Sequence, residues 1–182
     1  MYRVPSNQIQ PDKIQMVMIS EAAPGKMEDY YYSGGESLFE KTTLLAFQDA
    51  GVSVKSFKDI LSLGVYFTTA IKCGKTGYGI KTDTIKECST LLEEELSLFP
   101  YAKVWMLMGD VAIQAVNTIA RRQGEKRVIP AGSTCKLRSG EYYYHGVRVF
   151  PSYLQAGPSF FIEKSKRTMI AQDIQQAMSL LK

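Results

Sequence analysis

A chain of 182 residues with 45% hydrophobic and 22% charged residues has the make-up of one globular domain, not of a disordered or multidomain chain. Its 22 Lys and Arg against 18 Asp and Glu leave a net charge of +4, which permits contact with phosphates without requiring it. One histidine and three cysteines, with no Cys-x-x-Cys or His-x-x-x-His pair, argue against a structural zinc site and against a disulfide framework. No apolar run approaches the roughly 20 residues that span a bilayer. Residues 1–13 lack the apolar stretch of a signal peptide, so a cytoplasmic protein with free thiols is expected.

In chain order, residues 14–20 (IQMVMIS) form a short apolar run that suits a buried strand. Residues 21–37 follow as a loop rich in Gly, Pro and charge. Over residues 37–50, Leu38, Phe39, Leu44, Leu45 and Phe47 fall near helical spacing, and Gly51 is placed to end the helix. A short second helix is expected over 57–63. Residues 65–71 (VYFTTAI), β-branched and aromatic, read as a strand feeding a glycine-rich loop at 74–79. Thr82 or Asp83 can cap a helix that runs to Leu98, with Ile85, Cys88, Leu91, Leu92, Glu95 and Leu96 largely on one face. Residues 102–108 (AKVWMLM) form a third buried strand, and Gly109-Asp110 turns into a helix through Val111, Ala112, Ala115 and Ile119. Residues 141–150 alternate as one last strand, with a hairpin partner available around 135–137, and 163–181 closes the chain as a helix.

Strands that alternate with helices imply a mainly parallel sheet covered on both faces. Ligands of such sheets bind beyond the carboxyl ends of the strands. That rule selects four segments: residues 20–25, 68–79, 109–110 and 150–154. Several common motifs fail there. Gly74-Lys75-Thr76 ends like a phosphate-binding loop, but Thr69 stands where that motif needs its first glycine. No Gly-x-Gly-x-x-Gly or Gly-x-Ser-x-Gly is present. His145, alone in a strand or turn, reads more readily as structural or exposed than as a base.

Taken together, the four segments resemble the uracil-DNA glycosylase superfamily, especially its bacterial iron-sulfur branch. Ser20-Glu21-Ala22-Ala23-Pro24-Gly25 is similar to that family's Gly-Glu-Ala-Pro-Gly motif. The stretch from Val65 through Thr68-Thr69-Ala70-Ile71-Lys72-Cys73 is similar to its strand ending in Thr-Asn-Ala-Val-Lys-Cys. Residues 104–112 look like its buried strand, glycine and helix, and Phe150-Pro151-Ser152-Tyr153-Leu154 stands where it has His-Pro-Ser and a leucine. The resemblance covers roughly residues 14–180. It implies a single domain over 1–182, built as a three-layer α/β/α sandwich with a central, mainly parallel four-stranded sheet. It also implies hydrolysis of the N-glycosidic bond of a damaged base in DNA.

Breaking that bond develops positive charge on the sugar and negative charge on the base. Glu21 would orient water or stabilise the sugar; the plainer alternative is a carboxylate that caps a loop or pairs with a lysine. Tyr30, Tyr31 or Tyr32 would stack on an extruded base, or else pack as an aromatic lid on the core. Thr69, or Thr68 by a one-residue shift, replaces the family's uracil-reading asparagine, and a hydroxyl cannot reproduce its two-point contact. Phe150 replaces its histidine and brings no polar hydrogen. Lys72, Lys75, Pro151, Ser152, Tyr153 and Leu154 would meet DNA, Leu154 as an apolar wedge or as a plain loop leucine. Lys26, Lys81, Lys164, Lys166 and Arg167 would add phosphate contacts if they share a face. Cys73 and Cys88 match two of the four cluster cysteines, the N-terminal pair is absent and Cys135 lies far along the chain, so neither an iron-sulfur cluster nor any other cofactor is expected. Two other readings stay open beside the glycosylase: a non-catalytic nucleic-acid-binding module, and a small-molecule enzyme for a nucleoside or base.

Overall fold

A computed structural model describes residues 8–74 and 79–181. Five strands form one sheet in the order β2-β1-β3-β5-β4: β1 (Met16–Ala22), β2 (Val65–Ile71), β3 (Val104–Met108), β4 (Tyr142–Tyr144) and β5 (Val147–Ser152). β1 runs parallel to both β2 and β3, β3 runs parallel to β5, and only β4 is antiparallel. Seven helices accompany the sheet among the described residues: α1 (Leu38–Asp49), α2 (Phe57–Ser62), α3 (Thr82–Leu96), α4 (Asp110–Arg122), α5 (Thr134–Leu137), α6 (Ser159–Ile162) and α7 (Lys164–Ser179). None is long and apolar enough to cross a membrane.

Alternation along the central strands splits the interior in two. Val17, Ile19, Trp105 and Leu107 point to a core shared with α3 and α4. Met16, Met18, Val104 and Met106 point to a second core shared with α1, α2 and α7. Burying each of these side chains contributes roughly 1.5–3 kcal/mol.

Local chemistry sets the helix starts. The Ser37 hydroxyl accepts from the Glu40 N–H at 3.1 Å, and Ser56 with Asp59 forms a reciprocal capping box on α2. For α3 the expected cap moves. Lys81 is the N-cap and uses no side chain, so Thr82 and Asp83 fall inside the first turn, where the acidic Asp83 suits the helix dipole.

The four-stranded sheet and the single strand over 141–150 are corrected to five strands with a hairpin at the edge. His145 and Gly146 both take positive φ, 48° and 83°, which is the backbone of a two-residue type I′ turn. The turn divides the segment into β4 and β5, so the partner arm lies at 142–144. Residues 134–137, where the partner was expected, form α5 instead. β4 pairs only with residues 147–149, so Pro151 lies beyond that short edge strand, where a missing N–H is tolerated.

Candidate functional site

The parallel strands bring the four segments to one rim. Ser20 pairs in register with Thr69, Met108 with Ser152, and the Gly109 N–H donates to the Ser152 carbonyl at 3.0 Å. β1 extends past its expected end at Ser20, so Glu21 is still a strand residue.

Glu21 is half-buried, and its Oε1 accepts from the Val111 N–H, 3.4 Å away, in the first turn of α4. Negative charge is favoured there, beside the positive end of the helix. Gly109 makes the approach possible: it has φ 104°, and a Cβ at this position would fall 2.5 Å from Glu21 Oε1. The carboxylate is thus positioned by the start of α4.

The β1–β2 side of the rim is closed by its own polar groups. Tyr31 is buried among Phe39, Phe57 and Phe67. Its hydroxyl lies 2.6 Å from Ser20 Oγ and accepts from Gln155 Nε2 at 2.7 Å. Burial pushes the Tyr31 phenol well above its ordinary value. Tyr30 is buried too, its hydroxyl 3.3 Å from Thr69 Oγ1, which also donates to the Ile71 carbonyl at 2.9 Å. The Tyr32 hydroxyl accepts from the Phe67 N–H at 2.8 Å and donates to the Phe67 carbonyl at 3.1 Å, covering the free edge of β2. The three tyrosines are therefore placed as an aromatic layer on the core, not as an exposed stacking face.

Thr68 and Lys72 belong to a second closed network. Lys72, expected on the surface as a phosphate contact, is only 1% exposed and is corrected to an interior residue. Its ammonium donates to Thr68 Oγ1 at 2.5 Å and pairs with Glu95 of α3; Glu95 also accepts from Thr68 at 2.9 Å and from the Tyr66 hydroxyl at 2.6 Å. Burial pulls the Lys72 ammonium below its ordinary value while Glu95 pushes it back. Phe150, expected at the base, is likewise interior: it is 3% exposed, in the core beside α7, with the Arg148 guanidinium 4.4 Å above its ring.

The β5 exit is more open. Ser152 is buried and donates to Asp173 Oδ2 at 2.5 Å, and Arg138 holds the other oxygen at 2.7 Å. Burial raises the Asp173 carboxyl above its ordinary value, against the pull of Arg138 and Ser152. Pro151 is buried, whereas Tyr153 and Leu154 are partly exposed, and Lys166 Nζ lies 5.2 Å from the Tyr153 ring. Just beyond, Phe161 and Ile162 of α6 are exposed. Among the other lysines and arginines expected at phosphates, Lys26, Lys166 and Arg167 pair with Glu28, Glu163 and Asp49, Lys81 and Lys164 are exposed, and Lys75 lies outside the described residues.

Two cavities bear on ligand access. One of about 290 Å³ opens between the ends of β1 and β2 and the start of α3, bordered by Ala22, Cys73, Gly74, Lys81 and Thr84. A wider one, about 880 Å³, lies at the opposite end of the sheet near Lys13, Lys58 and Gly64, away from Glu21. The donor set does not fit an iron-sulfur cluster: Cys88 is buried in the core against which Cys73 packs, Cys135 is exposed on α5, and no group of three or more His, Cys, Asp or Glu among the described residues is placed to hold a metal ion. Burial raises the Cys88 thiol above its ordinary value.

Glu95, Gln155, Arg138 and Asp173 shape this rim without having been singled out for it. The sequence signal for Glu95 was its place on the apolar face of α3, where an acid calls for a buried partner. No protein-family model matches the chain, and no curated protein matches it.

Proposed function

We propose that this chain is a uracil-DNA glycosylase-like domain, an α/β/α sandwich that binds DNA at the carboxyl-end rim of its sheet and hydrolyses the N-glycosidic bond of a damaged base. The observation that carries the reading is the placement of Glu21: a half-exposed carboxylate at the end of β1, oriented by the first turn of α4, where the four motif segments converge. In this reading Glu21 orients a water toward the sugar carbon and offsets the positive charge that develops there. Tyr153 and Leu154, at the exit of β5, are the side chains the rim offers to a base or to the gap left in a duplex. The cytoplasm, where free thiols persist, is the compartment that suits it.

The test is base release from single and double strands carrying uracil and other lesions, beside a known glycosylase. The wild-type chain is expected to release at least one base, and Glu21→Gln to lower the rate by roughly 100-fold or more. Release of no base, or an unchanged rate in Glu21→Gln, overturns the catalytic reading.

A second reading is supported by the burial of Thr69 and Phe150, which leaves neither the base-reading position nor the leaving-group position facing solvent. On that reading the domain binds DNA without cutting it. DNA affinity then falls steeply with salt and survives Glu21→Gln, and binding indifferent to salt counts against it.

A further inference from the structure

Between β5 and α7 the chain turns through α6, a single helical turn that puts two large apolar side chains in water. Phe161 is 50% exposed, and Ile162, at 77%, is the most exposed large apolar residue among the described residues. Phe161 is braced from below: its ring meets the buried Phe160 ring edge-on at 5.9 Å and 77°, and the Arg167 guanidinium lies 4.8 Å from the Phe160 ring. A half-exposed ring fixed by a buried one offers a face already set in place for a flat partner. One ammonium links this turn to the rim. Lys166 Nζ lies 5.2 Å from the Tyr153 ring and 2.7 Å from the carboxylate of Glu163, the residue that follows Ile162. Lys164, next in the chain, is exposed and has no acidic partner among the described residues. A strip of rings and cations therefore runs from Tyr153 and Leu154 at the exit of β5, past Lys166, to Phe161, Ile162 and Lys164.

We propose that this strip binds single-stranded DNA, taking the nucleotides that flank the one held at the rim. The inference rests on the DNA-binding reading above and names the substrate class of that same site. Stacking on a side chain needs a bare base face, and inside a duplex both faces of a base are covered by its neighbours. A single strand can turn its bases onto Phe161 and Tyr153 while its phosphates meet Lys164 and Lys166. A duplex can use the cations but not the rings. Charge favours the same occupant: the two ammonium groups of Lys164 and Lys166 stand beside one carboxylate, Glu163, which leaves the strip positive. A second copy of the chain is the other occupant such an apolar turn could take. A symmetric contact there would bring the same ammonium groups toward one another, which like charge disfavours.

The experiment uses the full chain and one fluorescently labelled, lesion-free oligonucleotide of mixed sequence, offered as a single strand and as its blunt duplex, with affinity read by anisotropy over a range of salt. The wild-type chain is expected to bind the single strand about 10-fold more tightly than the duplex. Phe161→Ala should lower single-strand affinity roughly 10-fold with little change on the duplex, and Phe161→Tyr, which keeps a ring, should restore it. Lys164→Gln should lower the slope of log affinity against log salt on the single strand by about 0.7. Should Phe161→Ala fail to fold, Phe161→Leu keeps the apolar contact with Phe160, removes the ring and is expected to show the same loss. Equal wild-type affinity for the two forms, or single-strand affinity unchanged in Phe161→Ala, overturns the strip and leaves the DNA-binding rim standing. Binding to neither form overturns the DNA-binding reading and the strip with it. Self-association of the wild-type chain that Phe161→Ala abolishes, with DNA affinity unchanged, overturns the proposal in favour of a second copy on this face.

Discussion

Glu95 and Glu93 stand two residues apart on α3 and face opposite environments. Glu95 turns inward to Lys72, whose side chain is 1% exposed, and it collects Thr68 and Tyr66 as well. Glu93 turns outward to Arg122 and Gln123 across the α3–α4 seam, where both partners of the ion pair keep about a third of their side-chain surface in water. Both are glutamate carboxylates paired with a basic side chain, an ammonium inside and a guanidinium outside. Burial decides the rest: the inner pair holds the end of β2 in place beside the rim and uses up a lysine that the sequence offered to phosphates, while the outer pair ties two helices at a surface where water competes.

The strongest way to break this contrast is Glu95→Ala. It leaves the Lys72 ammonium interior without its carboxylate, and removing one member of a buried pair costs about 3–5 kcal/mol. Urea unfolding should show the loss as a lower midpoint, and the double variant Lys72→Met with Glu95→Leu should recover most of it, because two apolar side chains carry no charge to desolvate. If Glu95→Ala costs no more than a surface pair does, the inner pair does not hold the end of β2 in place.

Tyr31→Phe asks whether a neutral buried network behaves like the ionic one. The substitution keeps the ring among Phe39, Phe57 and Phe67 but takes away the hydroxyl that Gln155 donates to and that contacts Ser20. Leaving those buried groups short of a partner costs about 1–3 kcal/mol, below the ionic case, and thermal unfolding measures it. A cost near zero would mean that Ser20 and Gln155 satisfy each other at their present separation of 3.4 Å without the phenol.

The contrast also explains what was legible before the structure. The bounds of β2, Val65–Ile71, are legible in the sequence because seven consecutive β-branched, aromatic or small residues between turn signals describe a strand buried on both faces. α1 and α4 likewise followed from spacing and from glycines that suit positive φ. The convergence of the four rim segments followed from parallel topology alone. What stayed hidden were the pairings. Lys72 and Tyr31 carry the same letters whether they face water or the core, and only the partner on another element, Glu95 in one case and Ser20 with Gln155 in the other, sends them inside. The β4–β5 hairpin was missed because His145-Gly146 is not among the usual Asn-Gly or Asp-Gly turn signals, although its glycine supplies the same positive φ.

The smallest effect belongs to Glu93, and pH is the way to see it. Hydrogen bonding from Arg122, and then from Gln123, holds the Glu93 carboxyl below its ordinary range. A carboxylate whose folded value is depressed contributes stability above its unfolded value and loses that contribution as pH falls through the folded one. The loss therefore falls on the acid side of the ordinary glutamate range. For a pair this exposed it amounts to under about 1 kcal/mol. Asp173 slopes the other way: burial raises its carboxyl, so its term favours the folded state at low pH and fades as pH rises through the raised value. The wild-type slope sums both with Asp59, whose carboxyl the hydrogen bonds from the Lys55 and Ser56 backbone also hold low, so it does not isolate the Glu93 pair. Glu93→Gln removes one contribution and leaves the others, so urea midpoints measured across the acid range should fall less steeply toward low pH than in the wild type. An unchanged slope would mean that water screens the outer pair fully, and that Arg122 holds α3 through its hydrogen bonds to Ser89 and not through its charge on Glu93.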